Sequence, residues 1–242
     1  MTIIIIFLAH WYLSLFFQTF FLHRYASHNL YSMHKIWERI FYLLTFLFQG
    51  SSFLHPAAYA LMHRNHHKYA DTNKDPHSPK IVNNIIDFNK KTLFEYRRLI
   101  KKFKNDDIKA NDVPRWPFLE NLGELWIVRL TFISIYITLY LIYSPSIWYY
   151  CLIPIHIFMG PIHGFIVNWF GHKIGYRNFN NTNDDSKNTL YIDFLMLGEL
   201  YQNNHHKMPL KRNFAYRWFE IDFGFFIAYI LTKLKIINLK TK

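Results

Sequence analysis

The amino-acid sequence predicts an all-α integral membrane protein built as a single domain over residues 1–242. Two stretches, 3–22 and 130–172, contain no Asp, Glu, Lys or Arg. Apolar runs of about 18 residues or more are candidates for membrane spans. Charge is concentrated between these stretches and in the C-terminal third of the chain. We therefore expect three spanning helices, a membrane-embedded re-entrant segment, and a cytoplasmic cap rich in histidine.

The formal charge of +12, with histidine counted as neutral, narrows the class of partner. In a membrane protein such an excess is expected in cytoplasmic segments, where it follows the positive-inside bias and attracts anionic lipid headgroups. The basic segments lack the modules of a nucleic-acid reader, so we expect no nucleic acid as a partner. The single cysteine, Cys151, excludes an intrachain disulfide and a cysteine-based metal site.

The first predicted span covers residues 2–22, the length needed to cross a hydrocarbon core. Its His10 and Gln18 would be costly in lipid and should face protein, and we interpret His10 as a hydrogen-bonded core residue. The helix runs into His23 and His28, which lie about 140° apart on an ideal helix. These two histidines can share a metal site only if the helix unwinds or bends there.

Residues 36–62 are mostly apolar, but Gln49-Gly50-Ser51-Ser52 interrupts them. A single crossing would place the histidines before and after this segment roughly 30 Å apart, on opposite sides of the bilayer. If those histidines share one site, the segment must return to the side from which it entered. We therefore predict a re-entrant, membrane-embedded helix pair that bends near Gln49 to Ser52.

Two polar and basic segments, residues 63–117 and 171–242, are predicted to be cytoplasmic. The first is expected to contain an amphipathic helix over 92–103, because its apolar residues recur on one helix face. The second is expected to contain an interfacial helix within 214–237, a segment too interrupted by charge to span a bilayer.

The second and third spans are predicted at residues 125–143 and 147–170, separated by a short turn. Gly160-Pro161 and an earlier proline are expected to kink the third span. His156 and His163 lie deep within it, and we interpret both as structural.

One segment carries the strongest chemical signal: His63, His66 and His67 lie at i, i+3 and i+4, within about 100° of arc on one helix face. Taken alone, such a cluster is equally well explained by surface histidines in a basic loop. Further histidines fall on the same predicted side of the membrane, so eight imidazoles are available: His23, His28, His63, His66, His67, His172, His205 and His206. Eight ligands are too many for one ion, and two metals with about four nitrogen ligands each fit the count.

The spacing of these histidines resembles the three histidine boxes of the membrane fatty acid desaturases: His23-x4-His28, His63-x2-His66-His67 and x2-His205-His206. The segment HRNHHKYADTNKDPHSP, residues 63–79, is similar to the second box of the acyl-CoA Δ9, stearoyl-CoA-type branch and its continuation. Further elements that resemble this branch are Asn168-x3-His172, Gly175-Tyr176-Arg177 and Gly198-Glu199.

This resemblance implies a centre of two Fe²⁺ ions, held by nine histidines and by a water that an asparagine positions. Carried onto this sequence, eight of the ligands are the histidines named above and the asparagine is Asn168. The ninth position, the first residue of the third box, is Gln202 here. A glutamine can ligate through its carbonyl oxygen or hydrogen-bond a bound water, so one iron is expected to be coordinated differently.

The resemblance also implies O2-dependent insertion of a cis double bond into a saturated acyl chain, at Δ9 in this branch, with acyl-CoA or a similar thioester as substrate. A separate electron donor, a ferredoxin or a cytochrome b5-type protein, would supply two electrons. Asp75 and His77 are candidates for binding the substrate head or for supporting the metal ligands. Candidates for the walls of an acyl tunnel are Phe16, Phe17, Phe20, Gln49, Phe165 and Trp169.

Two alternatives stay open at the level of the sequence. A lipid hydroxylase or ketolase of the same histidine-rich superfamily could use the same centre to insert oxygen. A non-catalytic membrane metal-binding or transport protein would instead carry ionisable residues along the middle of its spans. The short chain and the missing eukaryotic features suggest a multi-pass protein of a bacterial plasma membrane, surrounded by lipid and with its active site on the cytoplasmic side.

Overall fold

The computed structural model describes residues 1–240; residues 241 and 242, the end of the predicted cytoplasmic stretch 171–242, lie outside the described residues. The described chain is mostly helical, with ten α-helices: α1 Thr2–Phe17, α2 Lys35–Gln49, α3 Pro56–Tyr69, α4 Ile85–Lys104, α5 Pro117–Glu124, α6 Trp126–Tyr143, α7 Ile153–Ile157, α8 Met159–Phe170, α9 Gln202–Lys207 and α10 Phe223–Lys233. A π-helical segment, Gln18–Ser27, continues α1, and short 3₁₀ turns precede α3 and α7.

Two short strands, β1 Tyr31–Met33 and β2 Ile237–Leu239, form an antiparallel pair in which Tyr31 lies opposite Leu239. The prediction of an all-α fold is wrong in this detail. Strands of three residues are shorter than the runs of about four to eight that periodicity can identify. Each strand finds its partner at the other end of the chain, so no local pattern indicates the pairing.

The structure contains two helices that are long and apolar enough to cross a membrane, Thr2–Ser27 and Trp126–Tyr143. A third candidate is the pair Ile147–Ile157 and Met159–Phe170, which is bent by 78°. The predicted spans at 2–22, 125–143 and 147–170 fall on these elements. The expected kink is present, because Pro161 lacks the N–H that would continue the hydrogen-bond ladder into α8.

The end of the first candidate span is widened into a π-helix over Gln18–Ser27. In a π-helix each N–H bonds to the carbonyl five residues earlier, and the His28 N–H accordingly donates to the His23 carbonyl at 3.0 Å. Residues five apart therefore stack on one face instead of diverging. This is the local unwinding that His23 and His28 require, and their Nε2 atoms lie 3.1 Å apart.

The segment between the first two histidine boxes reverses direction where α2 ends. Gly50 has φ +51, and a Cβ there would lie 1.9 Å from the Tyr136 Oη, so only glycine fits this turn. α3 then returns towards the π-helix and brings His63 Nε2 to 2.8 Å from His28 Nε2. The bend lies at the predicted place, and α3 ends beside the histidines that follow the first candidate span.

Helices also occupy the two segments where amphipathic or interfacial helices were predicted. α4 is longer than the predicted 92–103, because Asn84 caps its N-terminus by accepting a hydrogen bond from the Asp87 N–H at 2.9 Å. The predicted helix within 214–237 is α10, an apolar helix of 11 residues, which is too short to cross a bilayer.

A buried ion network ties the end of the first span to the C-terminal third. Arg24 is fully buried, and its guanidinium donates to Glu199 Oε1 at 2.9 Å and to both carboxylate oxygens of Asp222 at 2.8 and 2.9 Å. Its Cζ also lies 4.0 Å from the centroid of the Phe214 ring. Because Asp222 caps α10, this single arginine holds α10 against the π-helix.

Replacing Arg24 with methionine is expected to destabilise the fold strongly, because two buried carboxylates lose their counter-charge. Removing one partner of a buried pair costs on the order of 3–5 kcal/mol. The matched control is Arg98→Met, whose exposed pair with Glu95 is worth about 0–1 kcal/mol. Thermal unfolding in detergent measures both, and equal melting temperatures for the two variants would contradict a structural role for the network.

Candidate metal centre

The eight predicted histidines converge in the structure on two adjoining clusters. The five-histidine cluster consists of His23, His28, His63, His67 and His205, and the three-histidine cluster of His66, His172 and His206. Within each cluster, one potential ligand atom per residue lies within 4.8 Å of all the others. The division is therefore five and three rather than about four each.

Helix α3 serves both clusters from one turn. Neighbouring residues on a helix diverge by about 100°, so His66 and His67 point to different clusters, while His63 and His67, four residues apart, point to the same one. The ring nitrogens follow this division: His67 Nε2 lies 2.9 Å from His63 Nε2, and His66 Nε2 lies 3.2 Å from His206 Nε2. The third box repeats the division, because His205 joins the first cluster and His206 the second.

Each ring of the three-histidine cluster has a carboxylate on its outer nitrogen. His66 Nδ1 lies 2.9 Å from Asp75 Oδ2, His172 Nδ1 lies 2.9 Å from Asp71 Oδ2, and His206 Nδ1 lies 2.8 Å from Asp184 Oδ2. Such a partner fixes the tautomer with the proton on Nδ1 and leaves the Nε2 lone pair free for a metal.

The five-histidine cluster has one such contact, in which His23 Nδ1 lies 2.5 Å from Glu199 Oε2. Glu199 also receives a hydrogen bond from Arg24. The ion network that holds the fold therefore also orients a ring of the cluster.

The geometry fits cations at both clusters. With Nδ1 of His66 and His206 each donating to a carboxylate, their Nε2 lone pairs face each other across 3.2 Å. Two facing lone pairs repel unless a cation lies between them. His172 Nε2 is buried and has no hydrogen-bond partner among the described residues. The donor set is all imidazole, which suits iron, zinc, copper or nickel.

Burial keeps these rings in the form that binds metal. Burial, reinforced by neighbouring imidazoles, lowers the pKa of His63, His66, His67 and His205 well below the usual value. The rings are therefore neutral at pH 7, and a metal does not have to displace a proton from them.

Asn168 and Gln202 both line a cavity of 20 Å³ that adjoins His23 and His63, large enough for about one water. Asn168 Nδ2 donates to the Gly164 carbonyl at 2.8 Å. Gln202 Nε2 donates to the Glu199 carbonyl at 2.6 Å, which leaves Gln202 Oε1 as a potential oxygen ligand or water acceptor.

The structure places the four substrate-binding candidates away from that cavity. Asp75 is fully buried against His66, and His77 is buried with its ring centroid 4.5 Å from that of His66, which favours support of the ligands over contact with a substrate head. Gln49 accepts a hydrogen bond from the Leu54 N–H in the bend before α3. Trp169 packs on the ring of Phe88.

The expected tunnel walls lie elsewhere as well. Phe17 and Phe20 belong to the hydrophobic core around α2. The residues that do line the cavity include Gln18 and His163, which sequence reasoning assigned to no site. Gln18 Oε1 and both ring nitrogens of His163 are buried without a hydrogen-bond partner among the described residues.

His10 is hydrogen-bonded as expected, to the Phe48 carbonyl at 2.8 Å.

Asp184 carried no signal in the sequence, since it lies in a polar loop outside the histidine motifs. Asp71 and Glu199 lie within the quoted motifs, but their roles became visible only in the structure. Asp184, Asp71 and Glu199 each contact a ring of the clusters, a role that no local sequence pattern assigns to them.

Replacing Asp184 with asparagine is expected to lower metal affinity by about 10–100-fold, because His206 loses the carboxylate that orients it. The matched control is Asp185→Asn, whose exposed side chain pairs with Lys80. Metal content of the purified variants, measured by plasma mass spectrometry after titration with a chelator, distinguishes them. Equal retention of metal by both variants would contradict the role of Asp184.

Comparison with known proteins agrees with this geometry. Residues 1–223 match the sequence model of the family described as fatty acid desaturase. The Delta-9 desaturase-like 4 protein of Arabidopsis thaliana is 27% identical over 222 residues, which cover 90% of this chain and 69% of that protein. The acyl-CoA C20 Delta5-desaturase of Anemone leveillei is 27% identical over 213 residues, covering 88% and 65%. The icosanoyl-CoA 5-desaturase of Limnanthes douglasii is 27% identical over 229 residues, covering 90% and 58%.

The chain thus spans about three fifths to two thirds of the length of these relatives. The family match extends over nine tenths of the chain and includes all eight clustered histidines. The chain belongs to the fatty acid desaturase family.

Proposed function

We propose that residues 1–242 form a single fatty acyl desaturase domain with two Fe²⁺ ions, one at the five-histidine cluster and one at the three-histidine cluster. The observation that carries this proposal is the pair of facing Nε2 atoms with carboxylates behind them, because carboxylates that hold the protons on Nδ1 leave two lone pairs that attract a cation. The proposed ligands are the eight clustered histidines, with Gln202 as an oxygen donor and Asn168 as the holder of a bound water.

Two iron ions in such a site would supply dioxygen activation and the removal of two neighbouring hydrogens from an unactivated acyl chain, with two electrons from a separate donor. No side chain of the centre acts as acid, base or nucleophile, because the cofactor carries the difficult chemistry. The protein's task is placement of one C–C bond against the centre. The cavity between α1 and α8 adjoins the centre, since His23 and His63 lie in its wall, and it would have to widen to admit that bond.

The substrate is proposed to be a saturated acyl thioester of the acyl-CoA type, and the double bond to be cis and at Δ9. The stearoyl-CoA-like second box at residues 63–79 supports this choice. Relatives named for acyl-CoA substrates support the thioester, while their names include both Δ9 and Δ5 positions. The electron donor is proposed to be a ferredoxin or a cytochrome b5-type protein.

We further propose three membrane crossings, with residues 63–117 and 171–242 forming a cap on the cytoplasmic side. The basic composition of these segments supports that orientation. The three relatives described above are plant proteins, so they do not support the expectation of a bacterial plasma membrane.

A lipid hydroxylase is the second candidate, because the wall of the cavity is more polar than a saturated chain requires. Gln18 Oε1 and the His163 ring nitrogens have no partner there among the described residues and could bind a hydroxyl group. No observation favours the non-catalytic metal-binding alternative.

Expression in desaturase-deficient cells, followed by mass spectrometry of their fatty acids, tests the activity. The expected product is a new monounsaturated chain, which His205→Ala abolishes because the five-histidine cluster loses a ligand. His34→Ala, an exposed histidine that caps α2 outside both clusters, should leave the product unchanged. Hydroxylated chains would favour the second candidate. An unaltered fatty acid profile from an iron-loaded protein with a reducing partner would contradict both the desaturase and the hydroxylase proposals.

Gln202→His is expected to supply a ninth imidazole and to tighten iron binding at the site beside residue 202, since imidazole is a better donor than an amide oxygen. Gln202→Ala, which offers no donor, is expected to bind iron more weakly than the native protein. Iron content per chain after graded chelation measures all three proteins. Identical retention in all of them would exclude Gln202 from the coordination of either metal.

A further inference from the structure

Helix α4 runs between the ends of two candidate membrane spans. Near its start, the Phe88 ring lies 5.4 Å from the ring of Trp169 in the last turn of α8. At its end, Lys104 forms an ion pair with Glu124, two residues before α6 begins. A helix of 20 residues is about 30 Å long, so α4 bridges the two spans at the level where both emerge.

A contact in the middle of α4 indicates where the helix lies relative to the five-histidine cluster. The His55 N–H, just before the first residue of α3, donates to the Tyr96 hydroxyl oxygen at 2.6 Å. His55 precedes His63 by two turns of helix, or roughly 11–12 Å at 1.5 Å per residue. α4 therefore lies on the membrane side of the five-histidine cluster, along the bundle's edge.

The outward face of α4 combines apolar and basic side chains. Ile86, Leu93 and Phe94 are 66%, 48% and 67% exposed, although all are large and apolar. Lys90 and Arg97 lie between them, and all five fall within about 100° of arc. The opposite face buries Phe88, Leu99 and Phe103 against the protein. A helix with this composition is typical of one that rests in the headgroup region of a bilayer.

The charge of α4 specifies the lipid. The helix contains seven basic and two acidic residues. Among residues 1–240, Lys90, Arg97 and Lys101 form no ion pair, whereas Arg98 and Lys104 are paired with Glu95 and Glu124. Unpaired cations beside exposed apolar side chains complement a surface that offers both negative headgroups and acyl chains.

We propose that the outward face of α4, centred on Leu93, Phe94 and Arg97, is a docking surface for anionic membrane lipid. The apolar side chains insert among the acyl chains, and Lys90, Arg97 and Lys101 contact the headgroups. The surface lies outside both histidine clusters and does not depend on the proposed reaction. An acidic electron-transfer protein would match the charge but would leave Ile86 and Phe94 without an apolar environment.

Brominated lipids test this surface. Phe94→Cys in a Cys151→Ser background gives one reactive cysteine, which is labelled with bimane and placed in nanodiscs that contain brominated phosphatidylglycerol or brominated phosphatidylcholine. We expect quenching by both lipids and a larger effect of the anionic one. Each basic residue near an anionic surface is worth about fivefold in local lipid enrichment. Asn73→Cys in the same background, on the exposed loop after α3, is expected to remain unquenched.

Charge variants separate the anionic preference from simple proximity to lipid. Combining Lys90→Gln, Arg97→Gln and Lys101→Gln is expected to bring quenching by the two lipids to the same level. The matched control combines Lys109→Gln, Lys211→Gln and Lys233→Gln, which removes equal charge elsewhere and should keep the preference. Absence of quenching at Phe94, equal quenching in the unaltered helix, or protection of the label only after an acidic electron-transfer protein is added would each overturn the proposal.

Discussion

Eight imidazoles gathered in a largely buried space are the constraint on which the rest of this structure depends. Their Nε2 atoms approach each other at 2.8–3.2 Å, a spacing that repels when the lone pairs face one another. The carboxylates on the outer nitrogens make that arrangement specific, because they fix which nitrogen carries the proton. The site is consequently polar at its rim and ready for cations at its centre, within a mostly apolar bundle.

The backbone meets this constraint through two irregular segments. The π-helical turn stacks His23 on His28, and the bend at Gly50 returns α3 to the same point. Both irregularities lie in or beside candidate membrane segments, where an unsatisfied backbone is costly unless protein surrounds it. The Arg24 network holds the C-terminal third, and with it α9, against the widened turn. The fold and the histidine clusters therefore share one support.

Residue-level predictions agree with the geometry where a motif placed several histidines on one helix face, and they failed where contact arose between distant segments. The i, i+3, i+4 spacing of His63, His66 and His67 predicted that these rings meet other histidines, and the structure brings them together but divides them between two clusters. The need for the boxes to share one site predicted the bend near Gln49. The expected acyl-tunnel walls were chosen from apolar composition, which does not distinguish a cavity from a core. The structure packs Phe17 and Phe20 into the core and lines the cavity with Gln18 and His163.

The sequence by itself determined the class of protein, the candidate spans and the eight clustered histidines, because charge-free length and helical spacing are local properties. Only the tertiary structure decided how those histidines divide between two clusters, which carboxylate contacts which imidazole, and that β1 pairs with β2. Asp184 contacts His206 from a polar loop. Glu199 contacts His23 and Arg24, which lie more than 170 residues earlier in the chain. Such contacts depend on how distant segments pack, and no local periodicity encodes them.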